Sequence, residues 1–287
     1  MDEIKTWQQA VDYTFKTRHT WRHGNGSEAA RINCNHFTRL RGSSFPIRSI
    51  KQSLLNGVCI ELEDEGKSDA TINRIVSAVS TVLNHCEFDG LIESAPKFRR
   101  RKESEGRVLW YTKPEVTKLQ NVSTNVFQRE DLSDIIGFAA WTGMRQSEIL
   151  KIRKKDIDLV ANKIHVGGVP TQLTKAKNWR AIPIHNTILE MVTNRCSQSS
   201  RSDIRIFGDE WRDKDQLLRA FKKTSRLIGK DEAYVFHTLR HTYATWLAEA
   251  GVPLRSIQSL CGHRRVETTL RYAHATDTAL TDAMLAI

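Results

Sequence analysis

Five short stretches in the second half of the chain bring together cationic, acid–base and nucleophilic side chains. Thr142-Gly143-Met144-Arg145-Gln146-Ser147-Glu148 sets an arginine just after a glycine turn, with a carboxylate three residues on. Positions i and i+3 share a helix face, so Glu148 either orients the Arg145 guanidinium or forms an ordinary surface pair with it. Thr174-Lys175-Ala176-Lys177-Asn178-Trp179-Arg180 falls at a predicted β-turn. Lysines there are usually solvated, although a hairpin tip can also carry one into a cleft. His237-Thr238-Leu239-Arg240-His241 puts His237 and Arg240 on one helix face. The His237/His241 spacing matches half of a zinc-protease pair, but Thr238 stands where that motif needs glutamate. Leu260-Cys261-Gly262-His263 places a histidine just past a glycine, with no third metal ligand at supporting spacing. Finally, Thr268-Thr269-Leu270-Arg271-Tyr272-Ala273-His274 holds a tyrosine, a residue type that is most often half-buried packing.

Together these side chains suit phosphoryl transfer without a metal. Its transition state spreads negative charge over non-bridging oxygens, which guanidinium groups meet bidentately. A phenol has a pKa near 10, so its attack on a phosphodiester requires a base and a cationic surrounding. The leaving alkoxide needs a proton donor, a part that lysine or histidine can fill. Neither a Walker loop nor a carboxylate cluster for Mg²⁺ occurs. That absence fits a phosphoryl transfer that draws on neither a nucleotide nor a divalent ion.

Taken in order, Arg145 in TGMRxxE, HTLRH, LCGH and TTLRY, with nine residues from His263 to Tyr272, resemble the tyrosine recombinases, or phage integrase family. The resemblance spans roughly residues 108–287; residues 1–107 resemble the family's helical core-binding domain less specifically. It implies that Tyr272 is the nucleophile that forms a 3′-phosphotyrosyl link and frees a 5′-hydroxyl. Arg145 and Arg240 would clamp the scissile phosphate, His263 would add a hydrogen bond, and His237 would assist proton movement at the tyrosine. Lys175 would protonate the leaving 5′-oxygen; it is preferred to Lys177 because it lies eight residues before Pro183, as the family lysine does. Glu148 matches the acidic position that supports the first arginine.

The implied function is site-specific integration or excision of a phage or mobile element, with no cofactor. The alternative is Xer-type chromosome or plasmid resolution, and more distantly a type IB topoisomerase. From another class comes a DNA-binding protein in which these residues only pack. The implied partners are double-stranded DNA, further copies in a homotetramer exchanging the tail Ala275–Ile287, and accessory DNA-bending or excision proteins. Residues 1–20 leave no room for the arm-binding domain of many phage integrases, so the expectation is a compact integrase or a shortened chain. The whole reading requires Arg145 and Arg240 to converge on a pocket that the Tyr272 hydroxyl faces.

The elements that must position these residues are mostly helices. Ile47, Ile50, Leu54, Val58 and Leu62 recur at helical spacing from Pro46 to Gly66, and Ile72, Ile75, Val76, Val79, Leu83 and Cys86 form a second stripe capped by Ser68 or Asp69. A third helix carries Trp7, Val11 and Phe15. In the second half, Thr112-Lys113-Pro114-Glu115 is a capping box, Ile135–Trp141 is a buried segment, and helical spacing resumes from Arg145 to Ile152. Lys163–Val166 and Arg180–Ile184 alternate as strands around the Gly167-Gly168 turn. The expected fold is mainly α with a small antiparallel β-sheet (α+β): a helical DNA-binding domain over 1–100, a basic linker over 101–107 and a catalytic domain with its tail over 108–287.

Charge and composition point the same way. Lys and Arg number 44 against 33 acidic residues, and both halves are basic, with 17 basic against 14 acidic residues in 1–107 and 27 against 19 in 108–287. An excess of this sign favours a polyanion, because each neutralised phosphate releases counterions, although solubility alone would also account for it. Arg39, Arg41, Arg48, Arg99, Arg100 and Arg101 are candidate phosphate contacts, as is Lys177. Hydrophobic residues at 39% and charged residues at 27% exclude a disordered or fibrous chain. No apolar run approaches the ~18 residues of a membrane span, and the N-terminus lacks a signal-peptide pattern. Five cysteines with no CxxC pair argue against a disulfide framework or a paired zinc site. The expected location is the cytoplasm, on a bacterial nucleoid or in a host cell.

Overall fold

The computed structural model describes residues 4–24, 26–103, 106, 108–167, 179–207, 210–211 and 213–273. It divides into two compact units, Met1–Gly106 and Arg107–Ile287. Lys175, Lys177, the Gly168 turn position, part of the linker and the tail Ala275–Ile287 lie outside the described residues.

The first unit is all helical: α1 (Trp7–Thr17), α2 (His19–His23), α3 (Ser27–Arg41), α4 (Gln52–Asp64) and α5 (Asp69–Phe88). Ser68 caps α5, whose Ile72, Ile75, Val76, Val79, Val82, Leu83 and Cys86 are all fully buried. At ~1.5–3 kcal/mol per buried aliphatic side chain, this stripe is the main reason the bundle closes. Trp7, Phe37, Leu55, Val58 and Leu62 complete the same core. The helix read from Pro46 onward is interrupted. Pro46 opens a 3-10 turn (Ile47–Ser49), and the α-helix proper begins only at Gln52. The cause is tertiary: Trp7 N donates to the Phe45 carbonyl and Ile47 N to that of Lys5, which holds Phe45 and Pro46 extended against the start of α1.

The second unit packs α6 (Lys113–Asn125), α7 (Glu130–Thr142), α8 (Gln146–Ile149), α9 (Asn186–Ser197), α10 (Lys214–Leu227), α11 (Thr238–Glu249), α12 (Leu254–Cys261) and α13 (Glu267–Leu270) with three short strands. These are β1 (Ile157–Asp158), β2 (Lys163–Val166) and β3 (Arg180–Pro183), in antiparallel order β1-β2-β3. The Thr112/Glu115 capping box opens α6, and α7 is apolar nearly all round because it lies in the centre of the core. Two hydrogen bonds fix α11 to the start of the unit: Tyr111 N donates to Thr242 Oγ1 and Trp246 Nε1 to the Tyr111 carbonyl. α8 is shorter than its spacing predicts, since the chain turns after Ile149. β1, only two residues long, carried no readable pattern. The architecture is the expected mainly helical fold with a small antiparallel sheet.

Candidate active site

One carboxylate organises the first arginine. Thr142 ends α7, and Gly143 turns the chain with φ 61°. A Cβ at Gly143 would lie 2.3 Å from the Tyr243 ring, so both the backbone conformation and the packing require glycine. The turn delivers Arg145 to the N-terminus of α8. There the Glu148 carboxylate accepts from Arg145 N at 2.9 Å and from Arg145 Nη1 at 3.0 Å. It also accepts from Arg180 Nη2 at 2.7 Å and Nη1 at 3.2 Å. Burial by itself would raise the Glu148 pKa, but the Arg180 and Arg145 donors outweigh it and hold the carboxyl at about 2. Both guanidiniums then reach the end of α12: Arg180 Nε donates to the Leu260 carbonyl at 2.9 Å and Arg145 Nη2 to that of Gly262 at 3.0 Å.

Arg240 comes from α11, on the same face as His237 and His241. It is 3% exposed, and its Nη1 donates to the Gly143 carbonyl at 2.7 Å. Its Nη2 is buried with no hydrogen-bond partner among the described residues. Burial, with Arg145 and Arg180 nearby, lowers this guanidinium to about 10. An unmatched buried donor on a charged group costs at least ~1–3 kcal/mol, a cost an incoming anionic oxygen would relieve.

Around Arg240 stand three histidines and the tyrosine. The His263 Nδ1 lies 3.0 Å from Thr269 Oγ1, and its ring stacks on Tyr272 with centroids 6.2 Å apart and planes 6° apart. Burial first, then Arg240 and Arg145, lower His263 to about 4. His237, solvent-facing at the start of α11 but crowded on one side, is lowered by that desolvation and then by Arg240 and Arg145. Tyr272 Oη lies 2.5 Å from His241 Nδ1. Burial pushes this phenol up to about 12, with Arg240 and Arg271 pulling the other way. A cleft of about 830 Å³, lined by Trp179, Arg255, Gln258, Gly262, His263 and Arg264 among others, opens beside the group.

The structure therefore brings Arg145, Glu148, Arg240, His237, His263 and Tyr272 into one neighbourhood. It departs from the sequence reading in two respects. The side chain touching the tyrosine hydroxyl is His241, whereas His237 meets His241 edge-on at 5.0 Å, one ring removed. Tyr272 is only 3% exposed, so its hydroxyl faces a histidine and not an open cleft. Arg180 was not anticipated; its signal was its place on the inward side of the β3 alternation with Ile182. In the first unit, Arg39 is paired with Glu65, Arg41 with Glu61, and Arg101 with Glu63 and Asp69. Arg100 reaches Ser77, while Arg48 and Arg99 are exposed. Among the described residues no group of three His, Cys, Asp or Glu could hold a metal, and no helix is long and apolar enough to cross a membrane.

Comparison with known proteins gives this arrangement its relatives. Residues 110–279 match the phage integrase family model. Tyrosine recombinase XerA of Thermococcus onnurineus is 31% identical over 222 residues, covering 75% of this chain and 74% of that protein. A solved Tn1549 transposon integrase in complex with transposon right end DNA superposes with a TM-score of 0.78 at 20% identity, covering 98% of this chain and 100% of that one. A lambda integrase tetramer bound to a Holliday junction gives 0.70 at 20% identity, over 92% and 79% of the two chains. With the matched model spanning more than half of its length, and a relative of that identity across three-quarters of it, the chain belongs to the phage integrase family of tyrosine recombinases.

Proposed function

We propose that this chain cuts and rejoins duplex DNA at a specific site through Tyr272, integrating or excising a mobile element. In the cleavage step the Tyr272 oxygen bonds to phosphorus as its proton leaves, and the bond from phosphorus to the 5′-oxygen breaks. Lys175, from the β2–β3 connection, would hand that oxygen its proton. Religation is the same step in reverse, driven by a 5′-hydroxyl from the same or a second duplex. Arg145 and Arg240 hold the phosphate and offset its developing charge, and His263 adds a hydrogen bond. Glu148 and Arg180 position Arg145. The guanidiniums supply the charge stabilisation that a divalent ion supplies in other phosphoryl transferases, so the reaction is expected to proceed in a chelator.

The observation that carries this reading is Arg240 Nη2: a buried cationic donor left unmatched next to a tyrosine and a second arginine. Residues 1–106 would grip the duplex alongside the catalytic unit. By analogy with the lambda integrase tetramer the working form would be four copies on DNA. The tail Ala275–Ile287 would be exchanged between neighbours, and accessory bending or excision proteins would set direction. The sequence likeness to XerA favours a second reading, resolution of chromosomes or plasmids by the same chemistry.

A nicked duplex that loses its 5′-fragment on cleavage tests the chemistry. The wild type should form a denaturation-resistant covalent complex in excess chelator, and Tyr272→Phe should form none. A complex formed by Tyr272→Phe would overturn the assignment. Exchange of strands between two labelled duplexes separates recombination from topoisomerase-like relaxation, and sequencing the junctions decides between integration and resolution.

A further inference from the structure

We infer that His241 is the base that takes the proton of Tyr272 as its oxygen attacks phosphorus, an inference that rests on the reading of Tyr272 as nucleophile. The geometry is direct. His241 Nδ1 is 2.5 Å from Tyr272 Oη, and among the described residues no other hydrogen bond to that hydroxyl is seen. Tyr272 sits just past the end of α13 and His241 in the first turn of α11, so the contact joins residues 31 positions apart in sequence. The two rings lie 5.9 Å apart, tilted at 40°, so the contact between them is edge nitrogen to hydroxyl and not a stack. By contrast, the ring contact of His237 is with His241, edge-on at 5.0 Å, and the His263 ring lies parallel to the phenol at 6.2 Å with its Nδ1 committed to Thr269.

For His241 to accept a proton it must be unprotonated at Nδ1 when the phosphate arrives, with its other hydrogen on Nε2. Its surroundings enforce the neutral ring. His237 and Arg240 face it from its own helix, Arg271 and Tyr272 from the turn after α13, and His263 from the turn after α12. All are cations or neutral rings, none is a carboxylate, and burial with these charges lowers His241 to about 4. Such a ring is a weak base at equilibrium. It becomes an adequate one as the Oη–P bond forms, because the phenolic proton then grows far more acidic. The step balances: the Oη–H bond breaks toward His241 Nδ1, Oη–P forms, and the bond to the 5′-oxygen breaks. That oxygen takes its proton from a separate donor. On religation His241 returns the proton to the departing phenolate.

The test is single-turnover cleavage of the nicked duplex from pH 6 to pH 9, by wild type, His241→Phe and His241→Asn. A second substrate carries sulfur in place of the bridging 5′-oxygen and so leaves without a proton. The wild-type rate should be nearly flat across this range. Both variants should cleave about 100-fold or more slowly at pH 7, then gain about tenfold per pH unit as the phenol ionises without help. The same defect should persist on the sulfur substrate, because the leaving-group donor is bypassed there. His241→Asn keeps an acceptor near the hydroxyl but cannot take a proton, and it decides the matter if the phenylalanine variant fails to bind DNA.

Four results would overturn the inference: wild-type rates in the variants, a slow but flat pH profile, full recovery on the sulfur substrate, or a wild-type rate that itself climbs tenfold per pH unit. Tyr272→Phe, run alongside, keeps the two readings apart. A covalent complex formed by that variant would refute the nucleophile assignment, while its loss together with an unaffected His241→Phe would refute only the base.

Discussion

Replacing Glu148 by glutamine keeps the shape of the side chain and removes its charge, leaving Arg180, 7% exposed, without an anion. The carboxyl is held at about 2 in the fold against an ordinary value of 4.5. At ~1.36 kcal/mol per pKa unit, its ion pairs contribute on the order of 3 kcal/mol at neutral pH. A folded pKa below the unfolded one means stability that is complete above pH 4.5 and lost as pH falls toward 2. Glu148→Gln should therefore be less stable than wild type by about 3 kcal/mol at pH 7, with the gap shrinking to less than half by pH 3. Urea unfolding of both proteins at a series of pH values measures it. A gap under about 1 kcal/mol at pH 7, or one that does not narrow in acid, would show that the pairs contribute little beyond their desolvation cost. Covalent complex formation should fall as well, since Arg145 loses the group that aims it.

Further outcomes follow from the same geometry. Arg240→Lys should bind DNA with little loss but form covalent complex about 100- to 1000-fold more slowly, because a lone ammonium lacks the planar fork that sets one nitrogen on the Gly143 carbonyl and leaves a second for the phosphate. Gly143→Ala should cost about 2–4 kcal/mol in thermal or urea unfolding, since its Cβ would meet the Tyr243 ring and φ is positive; an unchanged melting curve would contradict the packing described. His263 and His241 are bases held at about 4 against an ordinary value of 6.5, so their contribution is complete above pH 6.5 and drains away as pH falls to 4. Loss of up to about 3 kcal/mol for each should make the wild type acid-sensitive in that window, and a double His→Asn variant should flatten the profile.

Much of the site was legible because its parts are local. Arg145 and Glu148 are three residues apart at a helix start, and His237 and Arg240 share a face of α11, so spacing alone made those pairings readable. Tyr272 and His263 became meaningful through motif order. What spacing does not encode is which distant element closes on which. Arg180 reaches Glu148 across 32 residues of sequence, and nothing at the start of its short strand names that partner. His241 stood in the text of the chain as half of a metal pair; only the placement of the turn after α13 against α11 makes it the tyrosine's neighbour. The same limit applies to Arg39 and Arg41, whose carboxylate partners come from the end of α4. The helix expected to run from Pro46 failed for a related reason: pairing with the chain's first residues outweighed local periodicity.

The last turn of α12 has a consequence beyond packing. A helix terminus normally leaves its final carbonyls to water, yet here Leu260 and Gly262 offer theirs to Arg180 and Arg145. The clamp and the helix end therefore hold or loosen together. If that turn frays, two cations lose their anchorage in the same event, and amide exchange there would report the readiness of the enzyme as directly as it reports the order of the helix.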